Sequence, residues 1–203
     1  MKNGYATIEK VRNGISLGIL QLEERALVGV KFYEEFQEKM DRNEVELISE
    51  IVKKAMLSFF PDAEVSTMGS YRRGKERCGD VDILITHTKY VKNAPFGAVD
   101  VLVEKLREDG HISHHLTHVD STKTDFRVID ATDSLLVNRV EKSKSYMGVF
   151  ISPLSRKHRR IDIKFYPFRE KAFAALYFTG NGYFNRVSIA LGGTNSNILS
   201  TIS

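Results

Sequence analysis

Gly69-Ser70-Tyr71-Arg72-Arg73-Gly74, followed by Asp80-Val81-Asp82-Ile83-Leu84-Ile85, is the stretch from which the fold is read. Side chains two apart on a strand share a face. As a strand, the second segment turns Asp80 and Asp82 one way and Val81, Ile83 and Ile85 the other. Far downstream, Arg159-Arg160-Ile161-Asp162-Ile163 places one more carboxylate between two isoleucines. A strand laid beside the first would bring Asp162 to the acidic pair. Carboxylates this close repel one another unless a cation lies among them. Oxygen ligands suit Mg²⁺, which commonly takes one or two carboxylates together with substrate phosphates. Two such ions can clamp an in-line displacement at phosphorus. The plainer alternative is a set of solvated acids on the outer face of an amphipathic strand.

The flanking residues favour phosphate chemistry. Ala63-Glu64-Val65-Ser66-Thr67-Met68 reads as a short strand ending at Gly69-Ser70. A glycine and a small hydroxyl residue after a strand let backbone N–H groups approach a phosphate closely. Arg72 and Arg73 add fork-shaped donors suited to phosphate oxygens. A cradle, a basic clamp and a carboxylate pair thus follow one another in order.

These segments resemble the nucleotidyltransferase superfamily. Met68-Gly-Ser-Tyr-Arg-Arg-Gly-Lys75 and Cys78-Gly-Asp-Val-Asp-Ile-Leu-Ile-Thr-His87 narrow the resemblance to the family X DNA polymerases. His158-Arg-Arg-Ile-Asp-Ile-Lys164, Leu176-Tyr-Phe-Thr-Gly180 and Phe184-Asn-Arg186 fit the same family. Gly79 and the Tyr177-Phe178 pair resemble its template-directed lambda/beta branch. The resemblance runs from Gly4 to Arg186.

The resemblance implies an α+β nucleotidyltransferase palm, a mixed β-sheet with helices on one side. It implies helical fingers over 1–41, a palm over 42–172 and the start of a thumb over 173–203. Asp80, Asp82 and Asp162 would bind Mg²⁺ or Mn²⁺, and Asp162 would also activate the primer 3′-hydroxyl. Arg160 would orient Asp162. Gly69 would belong to the cradle, Ser70 and Arg73 would hold the β- and γ-phosphates, and the Gly79 backbone would approach them. Tyr177, Phe178 and Gly180 would line the nucleotide's sugar and base, and Asn185 would bond its minor-groove edge. Arg42 matches an arginine that reaches the triphosphate, although Asp41 replaces the usual preceding proline. Gapped or primed DNA and deoxynucleoside triphosphates are the implied partners, for a monomer acting in DNA repair in a eukaryotic nucleus. A DNA- or nucleotide-binding palm without catalysis is the alternative. A transferase acting on RNA or a small molecule fits Tyr177-Phe-Thr-Gly180 less well.

Composition agrees with these expectations. The chain has 203 residues, enough for a sizeable core. Its net charge of +4 permits an anionic partner without demanding one. A single cysteine, Cys78, excludes an internal disulfide framework. No long apolar run, signal peptide or basic targeting run stands out, so no membrane span is expected.

The periodicity gives the organisation. Val45, Ile48, Val52, Met56 and Phe59 predict a helix over 44–60, with Asn43 as cap and Glu46 completing a capping box. A second helix is predicted over 97–109, strands over 81–86, 112–119, 146–151 and 160–166, and a helix from Lys171. His111, His114, His115 and His118 would share one helical face and allow a zinc site, but their apolar neighbours read as strand. The stretch 120–144 reads as a divergent surface insertion, or as a loop that selects primers. Both ends depart from the family. The N-terminal lyase module and first hairpin are not seen, and Ile189 stands where the family has a template-contacting arginine.

Overall fold

The spacing of Val45, Ile48, Val52 and Met56 builds the longest helix, and all four side chains are fully buried. The computed structural model describes residues 6–117, 140–141 and 144–187. Three helices lead: α1 (Ile8–Ser16), α2 (Glu24–Lys31) and α3 (Tyr33–Gln37). The short strand β1 (Met40–Asp41) precedes the long helix α4 (Arg42–Phe59). Next come β2 (Glu64–Thr67), the single-turn α5 (Gly69–Arg72), β3 (Arg77–Cys78) and β4 (Val81–Thr86). β5 (Ala94–Pro95), α6 (Ala98–Glu108), β6 (Ile112–His115) and β7 (Val140–Glu141) follow. β8 (Lys144–Ile151), β9 (His158–Phe165) and α7 (Lys171–Thr179) come next, and residues 182–187 are again helical.

Five strands form the main sheet, in the order β2-β4-β9-β8-β6. Only β4 and β9 run parallel; the other pairs are antiparallel. This is the mixed palm sheet that the sequence implies. Val81, Ile83 and Ile85 of β4 and Ile161, Ile163 and Phe165 of β9 enter one buried cluster with α4 and α6. The opposite face is covered in two places. α7 packs Ala174 and Phe178 on Met68 and Leu84, while α2 brings Val28, with Phe32 just beyond it, onto Val149. Among the described residues no helix is long and apolar enough to cross a membrane.

A buried ion pair fastens the leading helices to the sheet. Arg159 Nε donates to Glu44 Oε1 at 2.8 Å, and Arg159 Nη1 donates to the carbonyls of Glu35 and Glu38, each at 3.2 Å. Both partners are nearly inaccessible, at 4% for Arg159 and 5% for Glu44. Next to them, the His158 ring stacks on Phe32 at 3.9 Å and faces Glu35.

One local expectation is corrected. The long helix starts at Arg42, so Asn43 lies inside it and Asp41 is the N-cap, without a side-chain cap bond. Asp41 instead pairs with Arg77 at 3.2 Å, and Glu46 turns to the Tyr71 hydroxyl. The histidine stretch is strand over 112–115, as its apolar neighbours imply, with a register irregularity between Ile112 and His114. His111 stacks on Phe150, His114 meets Lys31, and His115 meets the Tyr146 hydroxyl. His118, most of 120–144 and Ile189 lie outside the described residues.

Candidate active site

β4 and β9 lie side by side with Val81 opposite Ile161, Asp82 opposite Asp162 and Ile83 opposite Ile163. Parallel neighbours in register present their side chains on the same face. Because the isoleucines and Val81 are claimed by the core, Asp82 and Asp162 must turn to the opposite face. Asp80, two residues before Asp82, adds to the same negative field. Burial, followed by repulsion from Asp80 and Asp162, pushes the Asp82 carboxyl up to about 7. Burial likewise raises Asp162, with Lys164 working against it.

The cradle sits on this pair. Met68 N–H donates to the Asp82 carbonyl at 2.8 Å and brings the Gly69 turn over the carboxylate. Gly69 has φ +56°, and a Cβ there would fall 1.7 Å from Asp82 Oδ2. Only glycine fits both the backbone conformation and the space. Ser70 Oγ is buried with no hydrogen-bond partner, as is Asp162 Oδ1. A buried hydroxyl without a partner is costly unless a ligand completes it. These atoms therefore fit a divalent cation carrying phosphate oxygens.

Among the described residues, however, no three His, Cys, Asp or Glu groups are gathered closely enough to hold a metal ion. The chain's own cations neutralise the acids instead. Arg160 Nη2 reaches Asp80 Oδ2 at 3.3 Å, and Lys164 Nζ reaches Asp162 Oδ2 at 3.5 Å. Arg160 was expected beside Asp162; its long side chain crosses to the neighbouring strand's acid.

Other predicted residues also take specific places. Arg42 was expected on the triphosphate. Here its guanidinium stacks on Tyr71 at 3.8 Å, and Nη1 donates to the Tyr71 and Lys75 carbonyls at 3.0 and 3.1 Å. Arg73 Nη1 donates to the Thr179 carbonyl, which brings the cradle to the end of α7. Gly180, at φ +65°, turns the chain there, and a Cβ on it would lie 3.3 Å from Arg73 Nη1. Asn185 Nδ2 donates to the Tyr177 carbonyl at 2.9 Å. Tyr177 is 45% exposed, whereas Phe178 is 8% exposed and packs in the core beneath α7. Phe178 is thus a packing residue in this arrangement. Gly79 has open space around its α-carbon, and Cys78 is fully buried.

Lys164 has no part in the motif roles above, yet it joins the site. Its ammonium lies 4.4 Å from the Phe178 ring centre, as well as beside Asp162. The two-residue alternation from Asp162 was the signal that could have put it on the acidic face.

A parallel strand pair presenting acids beneath a Gly-Ser turn defines the nucleotidyltransferase palm. A family model described as the DNA polymerase beta palm matches residues 39–168. The chain is 32% identical over 198 residues to DNA polymerase lambda of Rattus norvegicus, covering 97% of this chain and 30% of that protein. It is 29% identical over 185 residues to DNA polymerase lambda of Arabidopsis thaliana, covering 91% and 31%. It is also 29% identical over 196 residues to human DNA nucleotidylexotransferase, covering 90% and 37%. The chain belongs to the family X DNA polymerases. It spans about a third of the length of the curated relatives it matches.

Proposed function

We propose that this chain is the nucleotidyl-transfer palm of a DNA polymerase that adds a deoxynucleotide to a primer 3′-hydroxyl at gaps in DNA. Repair of damaged or broken DNA, and a nuclear home, belong to the same proposal. What supports it most is the in-register placement of Asp82 and Asp162 beside Asp80, under a cradle whose Ser70 hydroxyl has no partner. Asp80, Asp82 and Asp162 would hold Mg²⁺ or Mn²⁺. When bound, such ions supply Lewis-acid stabilisation of charge developing on the phosphoryl oxygens. Ser70 and Arg73 bind the distal phosphates and orient the chain of phosphates for in-line attack. Asp162 would face the primer hydroxyl and take up its proton as that oxygen bonds to the α-phosphorus and the bond to the departing pyrophosphate breaks. Arg160 and Lys164 hold the acids in place and balance their charge.

Primer extension on DNA with a one-nucleotide gap tests the proposal, with Mg²⁺ or Mn²⁺ present. Wild type should extend the primer, and Asp82→Ala and Asp162→Ala should not. Equal extension by the variants contradicts the assignment. A second reading, a palm that binds DNA or nucleotide without catalysis, rests on the Arg160–Asp80 and Lys164–Asp162 pairs that already neutralise the acids. Nucleotide binding without extension by wild type selects that reading.

A further inference from the structure

Helix α5, which carries Ser70, is a single turn of four residues. A turn that short does not stabilise itself. Its N-cap, Met68, offers no side-chain bond. Besides the Met68 bond to the Asp82 carbonyl and the Arg73 bond to the Thr179 carbonyl, its supports come from the loop's own backbone and from α4. Gly74 N–H donates to the Tyr71 carbonyl at 3.0 Å, and Lys75 N–H donates to the Ser70 carbonyl at 3.1 Å. The Arg42 guanidinium donates to the Tyr71 and Lys75 carbonyls and lies on the Tyr71 ring. The Tyr71 hydroxyl donates to Glu46 Oε1 at 2.6 Å. Arg42 and Glu46 are four residues apart on α4, so they share one helical face. Tyr71 is clamped between them, its ring under the guanidinium and its hydroxyl on the carboxylate. The buried stripe of α4 makes that face a rigid post.

We propose that Tyr71 and Glu46 are positioning residues that set the cradle for the number of phosphates on the nucleotide. The proposal rests on the reading of Ser70 and Arg73 as distal-phosphate ligands. Ser70 adjoins Tyr71 directly and Arg73 follows two residues later, so a shift of Tyr71 carries both away from their places. Neither Tyr71 nor Glu46 touches the acidic residues in the contacts described. Loosening them should therefore weaken the grip on the β- and γ-phosphates and leave the sugar, base and first phosphate alone. The Tyr71–Glu46 bond is charge-assisted and short, the stronger kind of hydrogen bond.

The test is a binding titration without primer, using Mg²⁺ with dATP, dADP or dAMP, on wild type, Tyr71→Phe, Glu46→Gln and the double variant. Wild type should prefer dATP over dAMP. Each single variant should lose affinity for dATP by roughly 5- to 10-fold, part of what a charge-assisted hydrogen bond is worth because Arg42 still holds the ring, and keep that for dAMP. The double variant should lose little more than either single one. On gapped primer, KM for the triphosphate should rise while kcat holds. Thermal melting guards against misfolding, since Glu46 is exposed and Gln preserves its shape. Equal losses for all three nucleotides, or no loss for dATP, overturn the positioning role. A wild type with no preference for dATP overturns the underlying phosphate assignment as well.

Discussion

A methyl group on Gly69 would collide with the Asp82 carboxylate at 1.7 Å, in a backbone conformation that disfavours side chains. Gly69→Ala should lower the melting temperature by several degrees and abolish metal-dependent nucleotide binding. Gly79→Ala, with open space around it, should melt within about a degree of wild type, since surface changes usually stay within about ±0.5 kcal/mol. Differential scanning fluorimetry and a dATP titration check both. Asp82 gives a pH signature. Its folded carboxyl is raised from 3.8 to about 7, so it holds its proton more tightly folded than unfolded. Without metal its stabilising contribution is full below the unfolded value and is lost as pH rises through about 7. Asp82→Asn removes that loss. The variant should melt progressively above wild type as metal-free buffer is taken from about pH 5 to about pH 8. Relief of about 1 kcal/mol corresponds to roughly 2–4 °C in a domain this large. A constant difference across that range would contradict the crowding of the acids. At this scale the acids and glycines were legible, because strand alternation and backbone freedom follow from residue type. The partners of Arg42 and Arg160 were not. Long flexible side chains find their bonds only after the strands and helices are packed, and here Arg160 crosses to Asp80 and Arg42 turns to the cradle backbone.

Helix α4 and strand β9 meet through Arg159 and Glu44, and the same arginine holds the carbonyls of Glu35 and Glu38 at the end of α3. Next to it on β9, Arg160 and Asp162 face the site. The buried pair therefore ties the leading helices to the strand that carries a predicted metal ligand. Removing one partner leaves an uncompensated buried charge. Arg159→Met or Glu44→Gln should each cost about 3–5 kcal/mol by urea unfolding, and the double change should recover most of it. Additive losses would mean that the two side chains act separately. The long helix itself was readable from its apolar spacing, but its first turn was not. Asn43 looked like a cap by residue type, yet Asp41 pairs with Arg77 across β1 and β3 and the helix begins one residue earlier than Asn43. His114 and His115 lie in the edge strand beside β8, as the apolar residues around them imply. The cap was lost to tertiary pairing, which took Asp41 to Arg77.

Across the whole molecule, the fold class was legible because two acid-bearing apolar runs could only share a face if their strands were neighbours. The order of the five strands was not, since pairing at long range leaves no local mark in composition. The net charge of +4 fits a polyanionic partner. If the palm holds DNA through phosphate contacts, log affinity for gapped DNA should fall linearly with log salt, a trend that fluorescence anisotropy measures. Affinity independent of salt would speak against that surface. In the proposed function, carboxylates from β4 and β9 act together on divalent cations. Mn²⁺ titration with dATP present, read by electron paramagnetic resonance, puts this to the test. Wild type should take up one to two tightly bound ions per chain, about the complement of a two-metal site, and Asp82→Asn and Asp162→Asn should each lose them. Undiminished Mn²⁺ binding in both variants would mean that these carboxylates do not hold the ions.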